Sequence, residues 1–149
     1  MTSFMNVERM FLDSNVLVYA HDLTEGRKHE KAKRIVAECW KSDKHPKISI
    51  QVLQEVHVTL VRKGLETSVS ADLVRNYLAW DIIENRESLF RDSLAFQIEL
   101  GLSFWDASIL AAAVAGGVEE LWSEDFQDGR SYHGVHVVNP FNPNWDLDV

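Results

Sequence analysis

The chain has one cysteine, three prolines and seven glycines in 149 residues, and each scarcity removes a class of protein. With Cys39 alone there is neither a disulfide framework nor a cysteine-rich zinc site. Low-complexity tracts, internal repeats and linkers are absent, which leaves a single globular domain over 1–149. No apolar run approaches the ~20 residues of a membrane span, and the N-terminus carries no basic-then-apolar signal segment, so the expected setting is the cytoplasm, with no membrane partner. Positive charge is also short: 15 basic against 23 acidic residues leave a net −8. On average that argues against nucleic acid, whose binding depends largely on neutralised phosphates. A chain of this length buries roughly two thirds of its unfolded surface, so its core needs neither disulfide nor structural metal.

What is present is an alternation. Short runs rich in Val, Ile and Leu are separated by longer stretches of helical period, the pattern of a parallel sheet covered by helices. Strands are expected at 9–13, 47–50, 80–83, 120–123 and 135–138. Helices are expected from 16, over 25–40 and 51–63, from Ser68 or Ser70 to 78, over 86–100, and from Ser103 to 115. A polar loop separates the last two strands, and the tail from Asn139 is irregular but pinned by Phe141 and Trp145.

In an open α/β sheet, ligands bind beyond the carboxyl ends of the strands. Asp13-Ser14-Asn15 closes the first strand, Ser123-Glu124-Asp125 closes the fourth, and Asp106 opens a helix after a short loop. Glu55 interrupts the apolar stripe of Val52, Leu53, Val56 and Leu60. Separations of 42, 51 and 19 residues mean that only the fold can bring these carboxylates together. Each has an ordinary structural explanation: Asp13 as a helix cap, Ser103 to Asp106 as a capping box, Glu55 as a solvated helix residue, 123–125 as a polar turn. Asp13 stands apart. A carboxylate directly after Met-Phe-Leu sits at a buried strand end, where an unpaired charge is costly and a metal or fixed donor is called for. Several carboxylates held close together cannot all stay ionised without a cation. An all-oxygen set suits Mg²⁺ or Mn²⁺, and the chemistry it favours is phosphodiester hydrolysis.

Phe11-Leu12-Asp13-Ser14-Asn15-Val16-Leu17, the 51–55 helix, Ser103-Phe104-Trp105-Asp106-Ala107 and Leu121-Trp122-Ser123-Glu124-Asp125-Phe126 resemble, in this order, the four motif regions of PIN-domain nucleases. Val137-Val138-Asn139-Pro140-Phe141 is similar to the usual last strand of that family. The resemblance spans nearly the whole chain and is nearest to the single-domain VapC toxins of bacterial toxin–antitoxin pairs. It implies an α/β/α three-layer sandwich around a mainly parallel sheet and a Mg²⁺-dependent endoribonuclease, Mn²⁺ substituting. Asp13 and Asp106 would be the principal metal ligands, with Glu55 and Asp125 completing the catalytic acidic set and Asn15 and Ser123 supporting it. The last acidic position varies in the family, so Glu124, Asp125 and Asp128 all remain open for it. Hydrolysis would be in line, leaving a 5′-phosphate and a 3′-hydroxyl. A homodimer and a cognate antitoxin protein are the implied partners, with RNA as substrate.

Other functions fit less well. A haloacid-dehalogenase-like phosphatase needs a second Asp two residues after the first, and position 15 is Asn. A catalytically silent PIN-like binding module would have lost acidic positions, and all four are present. A nuclease for RNA maturation or structured DNA would use the same residues. The six histidines show no metal-ligand spacing and are expected at the surface or rim, His21 being the one placed to touch substrate. Cys39 and the tryptophans at 40, 80, 105 and 122 are expected in the core rather than as base-stacking platforms, with the cleft as the alternative for Trp105, directly before Asp106.

The charge is unevenly spread. Over 27–47 eight Lys or Arg stand against three acids, a local +5 that leaves −13 elsewhere. Two outcomes are open for this stretch: the solvated face of a helix, or a phosphate-binding rim of Arg27, Lys28, Lys31 and Arg34 that steers RNA to the carboxylates.

Overall fold

In a computed structural model that describes residues 5–147, the chain forms six strands and six α-helices. The strands are β1 (Met10–Leu12), β2 (Lys47–Ser49), β3 (Asp81–Ile83), β4 (Glu120–Trp122), β5 (Ser131–Tyr132) and β6 (Val135–Val138). The helices are α1 (Ser14–His21), α2 (Arg27–Lys41), α3 (Ile50–Arg62), α4 (Thr67–Tyr77), α5 (Glu87–Leu100) and α6 (Phe104–Ala115). Met10, Phe11 and Leu12 are all fully buried, as a central strand covered on both faces requires. The sheet order is β3-β2-β1-β4-β6-β5, parallel except for β5 on β6. Helices lie on both sides of it: α1 packs on α2 and α3, α3 on α4, and α5 on α6. The result is the three-layer α/β/α sandwich expected from the sequence. Among the described residues no single helix is long and apolar enough to cross a membrane.

This topology fixes where a site can form. From β1 the chain builds outward through β2 and β3, then returns to β1's other side with β4, so the strand order reverses between β1 and β4. Helices depart in opposite directions there and leave a crevice at the carboxyl ends of the two strands. Leu12 pairs with Trp122 in register, so the next residues, Asp13 and Ser123, stand side by side at its floor.

Several local details depart from the sequence expectations. Helix α1 begins at Ser14 rather than 16, because Asp13 caps it. Helix α4 starts at Thr67, and Ser70 is no cap: it is buried and hydrogen-bonded to His57 Nδ1 at 2.8 Å. Trp80 lies buried in the turn before β3 rather than within it. The polar loop before β6 contains β5, joined to β6 by a hairpin in which His133 and Gly134 both take positive φ (49° and 85°). A two-residue turn of this kind matches the right-handed twist of its strands, and His-Gly is an uncommon substitute for Asn-Gly. His29 is buried, not at the rim, with Nδ1 2.8 Å from the Tyr19 carbonyl oxygen. Trp40 is part of an aromatic cluster with Tyr77, Trp80 and His45 but keeps an exposed edge. Cys39 is buried as expected, and burial pushes its thiol up to about 12.

Candidate active site

Asp13 is 2% exposed and both of its oxygens have donors. Oδ1 accepts from the Ser14 N–H at 2.7 Å, and Oδ2 accepts from the Ser123 hydroxyl at 2.6 Å. The cap and the buried strand-end carboxylate are therefore the same residue. Asn15, in the first turn of α1, reaches across the crevice: its Nδ2 donates to Ser123 Oγ at 3.3 Å and to Asp125 Oδ2 at 3.1 Å, while its Oδ1 accepts from the Glu124 N–H at 3.4 Å. The Asp125 N–H closes the turn on Ser123 Oγ at 3.0 Å. Ser123 is thus the hub: one hydroxyl donates to Asp13 and accepts from Asn15 and Asp125.

The other two carboxylates come from capped helices. Ser49 caps α3 by accepting from the Val52 N–H, and Glu55 follows one turn later on the edge of the apolar stripe. Ser103 caps α6 through the Asp106 N–H at 3.1 Å, which sets Asp106 in the first turn. Gln51 Nε2 donates to the Trp105 carbonyl oxygen at 3.2 Å and ties the two helix starts together.

The four acids form one electrostatic set. Burial pushes Asp13 up to about 7; the hydrogen bonds from Ser123 and Ser14 oppose the shift, and the charges of Asp125 and Glu55 add to it. Glu55 is also raised, first by burial and then by Asp106 and Asp125, against hydrogen bonds from Ser14 and Gln51. Asp106 is raised by burial and by Asp125. Among the described residues no three His, Cys, Asp or Glu side chains form a ready-made metal cage. A hard ion of the Mg²⁺ kind does not require one, since it keeps several waters and takes one or two protein carboxylates. The donors present are all oxygens, as such an ion prefers.

The remaining expected residues fall elsewhere. Glu124 accepts from the Tyr19 hydroxyl and from Lys28 Nζ at 2.9 Å, and Asp128 accepts from the Asn139 N–H and Asn142 Nδ2. Of the three acids open for the last position, Asp125 is the one whose charge bears on Asp13, Glu55 and Asp106. The basic rim is largely engaged by the protein itself. Lys31 Nζ donates to the carbonyls of Asn142 and Trp145, and Arg34 to the carbonyl of Leu147 and the carboxylate of Asp146. Lys28 pairs with Glu124, and Arg27 is exposed. His21 faces Tyr77, Nε2 to hydroxyl 2.6 Å. Sequence reasoning missed Ser14, Gln51 and Tyr19. Gln51 stands one helical turn before Glu55 on the same face, a spacing that could have marked it.

A family model described as "PIN domain" matches residues 10–127. The chain belongs to the PIN domain family. No curated protein matches it significantly. Its fold is similar to several solved structures of toxin–antitoxin proteins. One is a toxin–antitoxin complex from Klebsiella pneumoniae, 25% identical with TM-score 0.65, the match covering 89% of this chain and 98% of that one. Another is Mycobacterium tuberculosis VapC20, a sarcin–ricin loop cleaving toxin, 21% identical with TM-score 0.63, covering 78% of this chain and 91% of that one. A third is VapBC2 from Rickettsia felis bound to a DNA fragment from its promoter, 17% identical with TM-score 0.60, covering 86% and 96%. In this PIN domain, Asp13, Glu55, Asp106, Ser123 and Asp125 all lie within the matched segment.

Proposed function

We propose that this PIN domain is a Mg²⁺-dependent endoribonuclease, with Mn²⁺ as a substitute ion, and the toxin of a toxin–antitoxin pair. The observation that carries the proposal is the buried Asp13 carboxylate, fixed by Ser123 and sharing its negative field with Glu55 and Asp125, while Asp125 also bears on Asp106. Asp13 and Asp106 would hold the ion, and Glu55 and Asp125 would complete the acidic set. When bound, the ion supplies neutralising charge for the scissile phosphate and lowers the pKa of the attacking water. Ser123 holds Asp13 at one oxygen and leaves its position independent of solvent. Asn15 fixes the loop after β4, so that Asp125 faces the same crevice as Asp13.

Similarity to the Klebsiella pneumoniae toxin–antitoxin complex supports a protein antitoxin as partner, and the proposed site of action is the cytoplasm. A homodimer, implied by the family, is supported by exposed apolar side chains on α5, where Leu94 and Ile98 stand one turn apart. The test is cleavage of single-stranded RNA by purified protein. Cleavage with Mg²⁺ or Mn²⁺ that EDTA or Asp13→Asn abolishes is the expected result; cleavage undiminished by both would sink the metal mechanism.

A further inference from the structure

A groove opens beside the carboxylates, with Glu55 in its wall, and extends well beyond them. It has two arms around Trp105, which is 64% exposed although Ala107 to Ala113 of the same helix are buried. One arm, about 450 Å³, runs along α3 past Glu55 to Arg62. The other, about 220 Å³, runs toward Asn85 and Arg86 before α5. Gln51, Gln54 and Trp105 line both.

We infer that this groove is the track for the single-stranded RNA flanking the scissile bond, with Trp105 as the stacking platform for a base next to the cleaved phosphate. The inference rests on the nuclease proposal and deepens it. Proteins that hold single strands combine aromatic faces for the bases with cations for the backbone, and read base edges with amides. All three occur here. The Trp105 indole is backed edge-on by Phe104 at 5.2 Å, and its backbone is tied to Gln51, so the platform is held while its ring stays open. Gln54 and Asn85 are exposed amides, each able to donate to and accept from a base edge. Arg62 and Arg86 have no ion-pair or side-chain hydrogen-bond partner among the described residues, one at the far end of each arm. On the α2 side, by contrast, Lys28, Lys31 and Arg34 are already engaged by Glu124 and the C-terminal segment. Arg27 on that side is also exposed but lines neither arm, so among the described residues the free cations of the groove itself are Arg62 and Arg86. Trp105 and Glu55 line the same arm, so a base stacked on the indole places its own phosphate beside the acidic set.

The experiment measures binding of a short labelled single-stranded RNA by fluorescence anisotropy, on an Asp106→Asn background so that the RNA survives. Trp105→Ala is expected to weaken binding roughly 5- to 100-fold and Trp105→Phe to restore most of it, because stacking needs a π-face. Arg62→Ala and Arg86→Ala are each expected to reduce the salt slope of log K by about 0.7, one phosphate contact on a single strand. Circular dichroism confirms that each variant is folded. Cleavage with Mg²⁺ by chains retaining Asp106 separates the two proposals. RNA cut by the unaltered chain, with Trp105→Ala matching it in affinity and KM, overturns the groove and leaves the nuclease standing. RNA neither bound nor cut by the unaltered chain overturns both. Loss of a co-purified protein partner in Trp105→Ala, with RNA affinity unchanged, assigns the groove to that partner and overturns the inference.

Discussion

The Ser123 hydroxyl donates to Asp13 Oδ2 at 2.6 Å, joining the ends of two neighbouring parallel strands across the point where the sheet reverses its order. Both residues are buried, and the same Ser123 oxygen accepts from Asn15 and from the Asp125 N–H. In the proposed mechanism this bond makes Ser123 a positioning residue whose effect on the chemistry passes through Asp13.

Ser123→Ala should therefore lower cleavage about 10- to 100-fold, the range seen when the group orienting a metal ligand is removed. It also leaves a buried carboxylate oxygen without its donor, which costs about 1–3 kcal/mol of stability. Rate against Mg²⁺ concentration and thermal unfolding check the two effects separately.

Asp13→Asn should abolish cleavage and yet stabilise the metal-free protein. Burial holds Asp13 up at about 7, above the 3.8 of an unfolded chain, so the folded state binds the extra proton between those values. Its contribution is favourable below pH 4, declines as pH rises toward 7, and is unfavourable beyond. In EDTA the melting temperature of the unaltered chain should fall relative to Asp13→Asn over that window, and Mg²⁺ should recover it at pH 8 only where Asp13 is present. A pH-independent difference between the two proteins would refute this.

Asp22 works in the opposite sense. Lys63 Nζ at 2.6 Å and the Thr24 hydroxyl and N–H hold its carboxylate down to about 2, so it stabilises the fold above pH 4 and loses that contribution as pH falls toward 2. Asp22→Asn should remove part of the acid-unfolding transition in this range, and a far-UV titration from pH 5 to about 2 reads it directly.

Lys31 donates to two carbonyls of the C-terminal segment, with its ammonium over the Trp145 ring. Lys31→Met should lower stability by about 1–3 kcal/mol and speed proteolysis of the segment after Asn139. RNA affinity should change by less than about twofold, where loss of a phosphate contact would also lower the salt slope. An unchanged melting temperature with a reduced salt slope would return Lys31 to the substrate rim.

Much of this was legible beforehand because burial and period are written into the residues. Met-Phe-Leu followed by Asp announces a buried strand ending in a carboxylate, and Ser103 and Gly101 mark the break between α5 and α6. What escaped depended on contacts distant in sequence or on disguised chemistry. Lys31 and Arg34 read equally well as a rim, since their partners lie more than a hundred residues away. His29 occupies the apolar stripe of α2, three residues before Ala32, but its polar ring hid that place. Strand β5 is two residues long, below any periodic signal. Helix α6 is apolar over most of its surface, so its sequence left Trp105 open between core and cleft, and the fold places it at the surface.

The most direct measurement is cleavage of end-labelled single-stranded RNA as Mg²⁺ is titrated, compared among the unaltered chain, Ser123→Ala and Asp13→Asn. The expected result is saturable, EDTA-reversible cleavage yielding 5′-phosphate ends, slowed in Ser123→Ala and absent in Asp13→Asn. Equal cleavage by all three proteins, with EDTA present or not, would contradict it.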